Sequence, residues 1–154
     1  MLSLNERIDR KLKIREATLE DLDSIISIDT QGSGIAKPEY WQETFDIYGG
    51  LKENRFFLVA ESDDQIAGFI LGEIRAWEFG SAPCGWVFAI GVNQDARFHG
   101  AGTKMLDAIS EHFRKAGITK IRTMVARQNH EVHSFFRSQG MMAGPYQQLE
   151  KDLL

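Results

Sequence analysis

The chain has 154 residues, 43% of them hydrophobic and 26% charged, with three prolines, proportions of one globular domain over residues 1–154 rather than of a disordered or collagen-like chain. A formal net charge of −4 with scattered Lys and Arg speaks against a nucleic-acid partner and suits a cationic acceptor such as an amine. One cysteine, Cys84, excludes an internal disulfide, and the sequence holds no 18-residue apolar stretch or signal-peptide core, so a cytoplasmic protein with no membrane partner is expected.

Residues 12–17, LKIREA, read as a short strand, after which Thr18 and Asp21 form an approximate capping box. The helix that follows has Leu22, Ile25, Ile26 and Ile28 on its apolar face and is expected to stop at the QGSG of residues 31–34. Pro38 suits the first turn of a second helix, rich in aromatic residues: Tyr40, Trp41, Phe45 and Tyr48, ahead of Gly49 and Gly50. At their spacing these four could line a pocket or belong to the core, which takes at least two of them.

Two β-rich runs, RFFLVAES and QIAGFILGEIRAW, flank Asp63 and Asp64 and predict a hairpin. A second turn, EFGSAP, leads into CGWVFAIGV, whose continuous apolar character predicts a central strand covered on both faces. Met105, Leu106, Ile109 and Phe113 then mark a helix ended by Gly117. KIRTMVA is another strand, HEVHSFFRSQG a helix with terminal Gly140, and PYQQLEKDL a last strand. The predicted order is βααβββαβαβ, a mixed α/β (α+β) class.

The segment between the central strand and its helix, ARFHGAGTKMLDAI at residues 96–109, carries the chemistry. Gly100 and Gly102 open a helix whose first N–H groups lie uncovered at its positive dipole end, a site for phosphate or pyrophosphate with Arg97 and Lys104 to add charge. The Walker pattern fails, because Gly102 is followed by Thr103 and then Lys104. The dinucleotide fingerprint fails at Met105, where a glycine is needed.

The pattern that fits is Arg-x-x-Gly-x-Gly after an apolar strand, Arg97-Phe98-His99-Gly100-Ala101-Gly102, continuing into Thr103. With the order of elements, it makes the chain resemble the GCN5-related N-acetyltransferase (GNAT) superfamily over almost its whole length. The resemblance implies a mostly antiparallel mixed sheet with a splayed pair of central strands flanked by helices. It implies acetyl-CoA as co-substrate, with its pyrophosphate on the turn and its pantetheine arm along Ala89, Ile90, Gly91 and Val92, and no metal. Gly91 is expected to be a bulge residue, since glycine inside a strand weakens it otherwise. Asn129 matches an asparagine near the cofactor's thiol end and is also an ordinary N-cap.

Three positions depart from the family pattern. Phe136 stands where relatives place an acidic tyrosine, and Trp86 and Met124 where they place glutamates. Glu73, inside an apolar strand, is the candidate replacement base, with pairing to Arg75 or exposure to solvent as the alternative; Glu78 is a weaker one. His130 and His133, with Cys84, suggest a metal set, against an ordinary helix surface. The expected activity is acetyl transfer to a primary amine, on a small molecule or a protein, by direct attack in a ternary complex, with a homodimer open. The alternative is a non-catalytic acyl-CoA sensor.

Overall fold

The computed structural model describes residues 1, 3, 12–95 and 99–154. Its compact units are Met1–Met124 and Val125–Leu154.

In the first unit, β1 (Lys13–Glu16) leads through a 3-10 turn to α1 (Leu22–Ser33) and α2 (Pro38–Tyr48). The strands β2 (Arg55–Ser62), β3 (Gln65–Arg75) and β4 (Cys84–Val92) follow, then α3 (Ala101–Lys115) and β5 (Ile121–Thr123). The sheet runs β1-β2-β3-β4-β5, antiparallel throughout except for the parallel pair β4 and β5.

Local chemistry fixes the joints. Thr18 N–H donates to the Asp21 carboxylate at 2.7 Å, which fulfils the capping-box reading. Asp21 is buried, and burial would push its carboxyl up. Hydrogen bonds from Arg15 at 2.8 and 2.9 Å, with those from Thr18, outweigh that and hold it below the ordinary carboxylate range. The same Asp21 contact leads the causes that raise the Arg15 guanidinium. Asp63 and Asp64 both adopt positive φ, 50° and 62°, and Ser62 pairs with Gln65, so the hairpin closes in a two-residue turn of the primed kind.

The first helix ends within the QGSG segment as expected, running to Ser33 with Gly34 at φ 76° as its left-handed cap. Two expectations need correcting. The bulge in β4 is not at Gly91: Leu71 faces Ala89 while Gly72 faces Val87, which leaves Phe88 as the extra residue. Gly91 is instead a close approach, since a Cβ there would stand 2.5 Å from the Phe69 ring. Residues 145–153 form no strand; Tyr146, Leu149 and Leu153 are spaced by three and four, not two, and all are exposed.

The two sheet faces are covered differently. On one, Ile25 and Ile28 of α1 and Trp41 of α2 pack with Phe57, Val59, Phe69 and Leu71 in the core. On the other lies α3: the Phe56 ring meets Phe113 at 5.5 Å, and a Cβ on Gly72 would stand 3.2 Å from Ile109. Trp41 is the aromatic residue of α2 that is wholly core, with Phe45 and Tyr48 packed at its margin and Tyr40 exposed.

The second unit holds α4 (His130–Ser138), capped by the Asn129 side chain, which accepts from Val132 N–H at 3.2 Å. The Phe136 side chain is buried, edge-on to Phe135 at 5.1 Å. No helix among the described residues is long and apolar enough to cross a membrane.

Candidate active site

The strand β4 has one full edge and one short one. It pairs with β3 along its length, but with β5 only through Gly85, Trp86 and Val87. Beyond Val87, no described strand covers that second edge. The ladder to β3 shows which groups point there: Asn93 N–H donates to Ala67 at 2.7 Å, so by strand alternation the main-chain groups of Ile90 and Val92 face away from β3. That is an edge on which an extended, amide-bearing chain can add itself as a strand. The bulge at Phe88 sits where this edge begins.

The glycine turn follows β4 in the chain. Arg97 and Phe98 lie outside the described residues; His99 is exposed. Gly100, at φ 89°, is the N-cap of α3, a conformation natural to glycine, and it brings no side chain to cap the helix. Ala101 and Gly102 are buried and Thr103 is half-buried, which brings the first turn of α3 up against the protein with its N–H groups directed along the axis.

Past the C-terminal end of α2, the face of the sheet that carries the α1–α2 layer is polar. Arg55, Glu73 and Trp86 stand opposite one another across β2, β3 and β4. The Glu73 side chain, 16% exposed, has one oxygen 3.1 Å from Arg75 Nε and the other 3.4 Å from Arg55 Nε. The sequence pointed to Arg75 as a partner; Arg55, 18 residues away in β2, could be found only through the register. Arg75 also lies over the rings of Phe88 and Trp86, at 4.4 and 5.7 Å, and Arg55 lies 5.7 Å from that of Tyr48. Burial, aided by the Glu73 charge, pushes the Tyr48 phenol up, against the pull of Arg55 and Arg75.

The description of the matching family model is "Acetyltransferase (GNAT) family", and the match spans residues 19–141. The chain belongs to this GNAT family. It is therefore an acetyltransferase of the kind that uses acetyl-CoA, and the match runs through both compact units. No curated protein matches the chain by sequence.

Solved structures share the fold at low identity. A transcriptional regulator from Bacillus halodurans C-125 is 17% identical at a TM-score of 0.77, covering 92% of this chain and 99% of its own. An aminoglycoside acetyltransferase from an uncultured soil metagenomic sample, in complex with sisomicin, is 18% identical at 0.72, covering 96% and 99%. The aminoglycoside N-acetyltransferase AAC(6')-Iy, in complex with CoA, is 14% identical at 0.78, covering 92% and 94%.

Within the GNAT frame the remaining sequence candidates are divided between the two units. Trp86 lies in the arginine–glutamate row, whereas Met124 is 66% exposed, and neither side chain can take a proton. Asn129 and Phe136 belong to the second unit. His133 contacts the Ala126 carbonyl at 3.1 Å, Cys84 is buried beside Arg122, and no group of three metal-ligating side chains occurs among the described residues. Glu78 is 3.5 Å from Arg75 and half-exposed.

Proposed function

We propose that this protein transfers the acetyl group of acetyl-CoA to a primary amine of a small molecule, within one catalytic domain over residues 1–154. The observations that carry the reading are the open β4 edge beyond Val87 and the glycine-capped start of α3, the next element in the chain. An extended arm bearing amides fits the edge, through Ile90 and Val92, and a pyrophosphate fits the helix start, where Gly100, Ala101, Gly102 and Thr103 would hold it with Arg97, Phe98 and His99 alongside. The aminoglycoside acetyltransferases among the structural neighbours support an amine as acceptor.

Bound acetyl-CoA supplies a thioester, at whose carbonyl carbon an N–C bond forms while the C–S bond breaks and sulfur leaves as thiolate, to be protonated by water. The chain contributes position and polarity: the Val92 N–H is offered to the developing oxyanion, and the side chains around Phe88 hold the amine in line. Both Glu73 oxygens already face guanidinium groups, so proton acceptance from an amine would compete with two ion pairs. We assign Glu73 the placing of Arg55 and Arg75, and the amine proton to water.

Two measurements test this. Titration calorimetry with CoA should show binding that is lost when Gly100 is replaced, and a screen of primary amines with acetyl-CoA should show CoA release. Binding without release from any amine would leave an acyl-CoA sensor as the better reading.

A further inference from the structure

The arginine–glutamate cluster on the α1–α2 face holds more positive than negative charge at its centre. Two guanidinium groups share one carboxylate, that of Glu73, at 3.1 and 3.4 Å. Their other contacts are long: Arg55 Nη1 to the Ile47 carbonyl at 3.4 Å, and Arg75 Nη1 to the half-exposed Glu78 at 3.5 Å. A guanidinium carries about five N–H donors in a planar fork. Most of those in this pair are therefore not engaged by protein. The rings of Tyr48, Trp86 and Phe88 flank the two groups and fix their planes, and Phe88 is also the bulge residue at which the β4 edge opens.

We propose that Arg55 and Arg75 form an anion subsite and that the acceptor is an amine whose molecule also carries a carboxylate, of the amino-acid type. The proposal rests on the acetyltransferase reading above and names its substrate class. A carboxylate matches the guanidinium fork in bidentate fashion, which orients the rest of the molecule as well as binding it. Positive charge beside the amine also favours its neutral form, the form that attacks a thioester. A polycation would meet the same two charges as repulsion, so this site selects against acceptors of the aminoglycoside kind even though the fold is shared with enzymes that bind them. Glu73 is the positioning residue, since it holds both arginines to one side of the sheet.

The test compares L-amino acids with their own methyl esters, and with spermidine and sisomicin, as acceptors in an acetyl-CoA-dependent CoA-release assay. Free acids should exceed their esters in kcat/KM by about tenfold or more, and Arg55→Gln and Arg75→Gln should each raise acceptor KM about tenfold and narrow the acid-to-ester ratio, with Arg75→Lys recovering part of it. Esters, spermidine or sisomicin used as well as the acids would overturn the subsite while leaving the acetyltransferase reading intact. An acid-to-ester ratio unchanged in the variants would do the same, as expected of a mere surface ion-pair network. Should no amine release CoA, that reading falls by itself, and calorimetry of the wild-type protein decides the subsite: tighter binding of acids than esters upholds it, equal binding overturns it.

Discussion

The Arg75 guanidinium carbon lies 4.4 Å from the centre of the Phe88 ring. Phe88 has no register partner on β3, because the ladder passes from Ala89 opposite Leu71 to Val87 opposite Gly72. Phe88 shares the face of Trp86, two residues earlier, and the bulge sets Ala89 on that face as well. The ring of Phe88 thereby meets Arg75 and, at 6.0 Å, Tyr48 at the end of α2. One inserted residue thus joins the start of the open β4 edge to the charged row.

Phe88→Leu keeps an apolar side chain and removes the ring. The variant should lose about 0.5–1 kcal/mol of stability, the range for a cation–π contact near the surface. Urea unfolding of wild type and variant measures it, and a double variant with Arg75→Gln should show the two changes to be non-additive.

Gly91 is needed for want of space. A Cβ at this position would stand 2.5 Å from the Phe69 ring and 3.2 Å from Ile28, both buried in the layer between the sheet and α1. Gly91→Ala should destabilise the fold by about 1–3 kcal/mol, as overpacking does, and disturb the neighbouring edge residues Ile90 and Val92. Denaturant midpoints together with CoA calorimetry check both effects; an unchanged midpoint would mean that the core yields without cost.

Much of this could be read from residue types. Asp63-Asp64 between two β-rich runs specified the hairpin, Pro38 and Gly34 marked helix ends, and the glycine turn after an apolar run pointed to the proposed cofactor edge. What escaped was set by strand register. The continuous apolar run of β4 has no alternation to show that Phe88 is an added residue, and Glu73 meets Arg55 only because β2 and β3 pair antiparallel with these two opposite each other. The C-terminal segment misled because Tyr146, Leu149 and Leu153 look apolar enough for a strand while lacking its period of two.

Gly100 should be sensitive for a separate reason. Its φ of 89° at the N-cap of α3 is a conformation that L side chains adopt at a cost of roughly 1–2 kcal/mol. Gly100→Ala should therefore lower stability by about that amount, and it should weaken CoA binding more than this strain alone predicts if the turn receives the pyrophosphate. Thermal unfolding gives the first quantity and calorimetry the second. A strained variant that binds CoA normally would remove the turn from the cofactor site.

The Asp21–Arg15 pair makes a pH-dependent contribution. The Asp21 carboxyl is held below its ordinary value of 3.8, so the folded state binds this proton less readily than the unfolded chain. The stabilisation is present above that ordinary value and is lost as the pH falls through the lower, folded value. At neutral pH Asp21→Asn should cost about 1–3 kcal/mol, since Arg15 loses a charged hydrogen-bond partner. The difference between wild type and variant should shrink as the pH falls below the ordinary carboxylate range. Chemical denaturation at a series of pH values checks the sign, and a gap that widens toward acid would contradict it.

Glu73→Gln distinguishes two roles for one carboxylate. A general base typically contributes about 10²–10⁴-fold, and its removal abolishes the acid limb of the pH–rate profile. A positioning residue behaves otherwise: the carboxamide keeps the shape but withdraws the charge that Arg55 and Arg75 share, so the two guanidinium groups lose their common anchor at 3.4 and 3.1 Å. The expected result is a raised acceptor KM, a smaller fall in kcat, an unchanged KM for acetyl-CoA, and an acid limb still present because it reports ionisation of the acceptor amine. Profiles of kcat/KM for wild type and variant with the same amine decide the matter. Disappearance of the limb in Glu73→Gln, with acceptor KM unmoved, would return the base role to Glu73 and leave the two arginines to hold it in place.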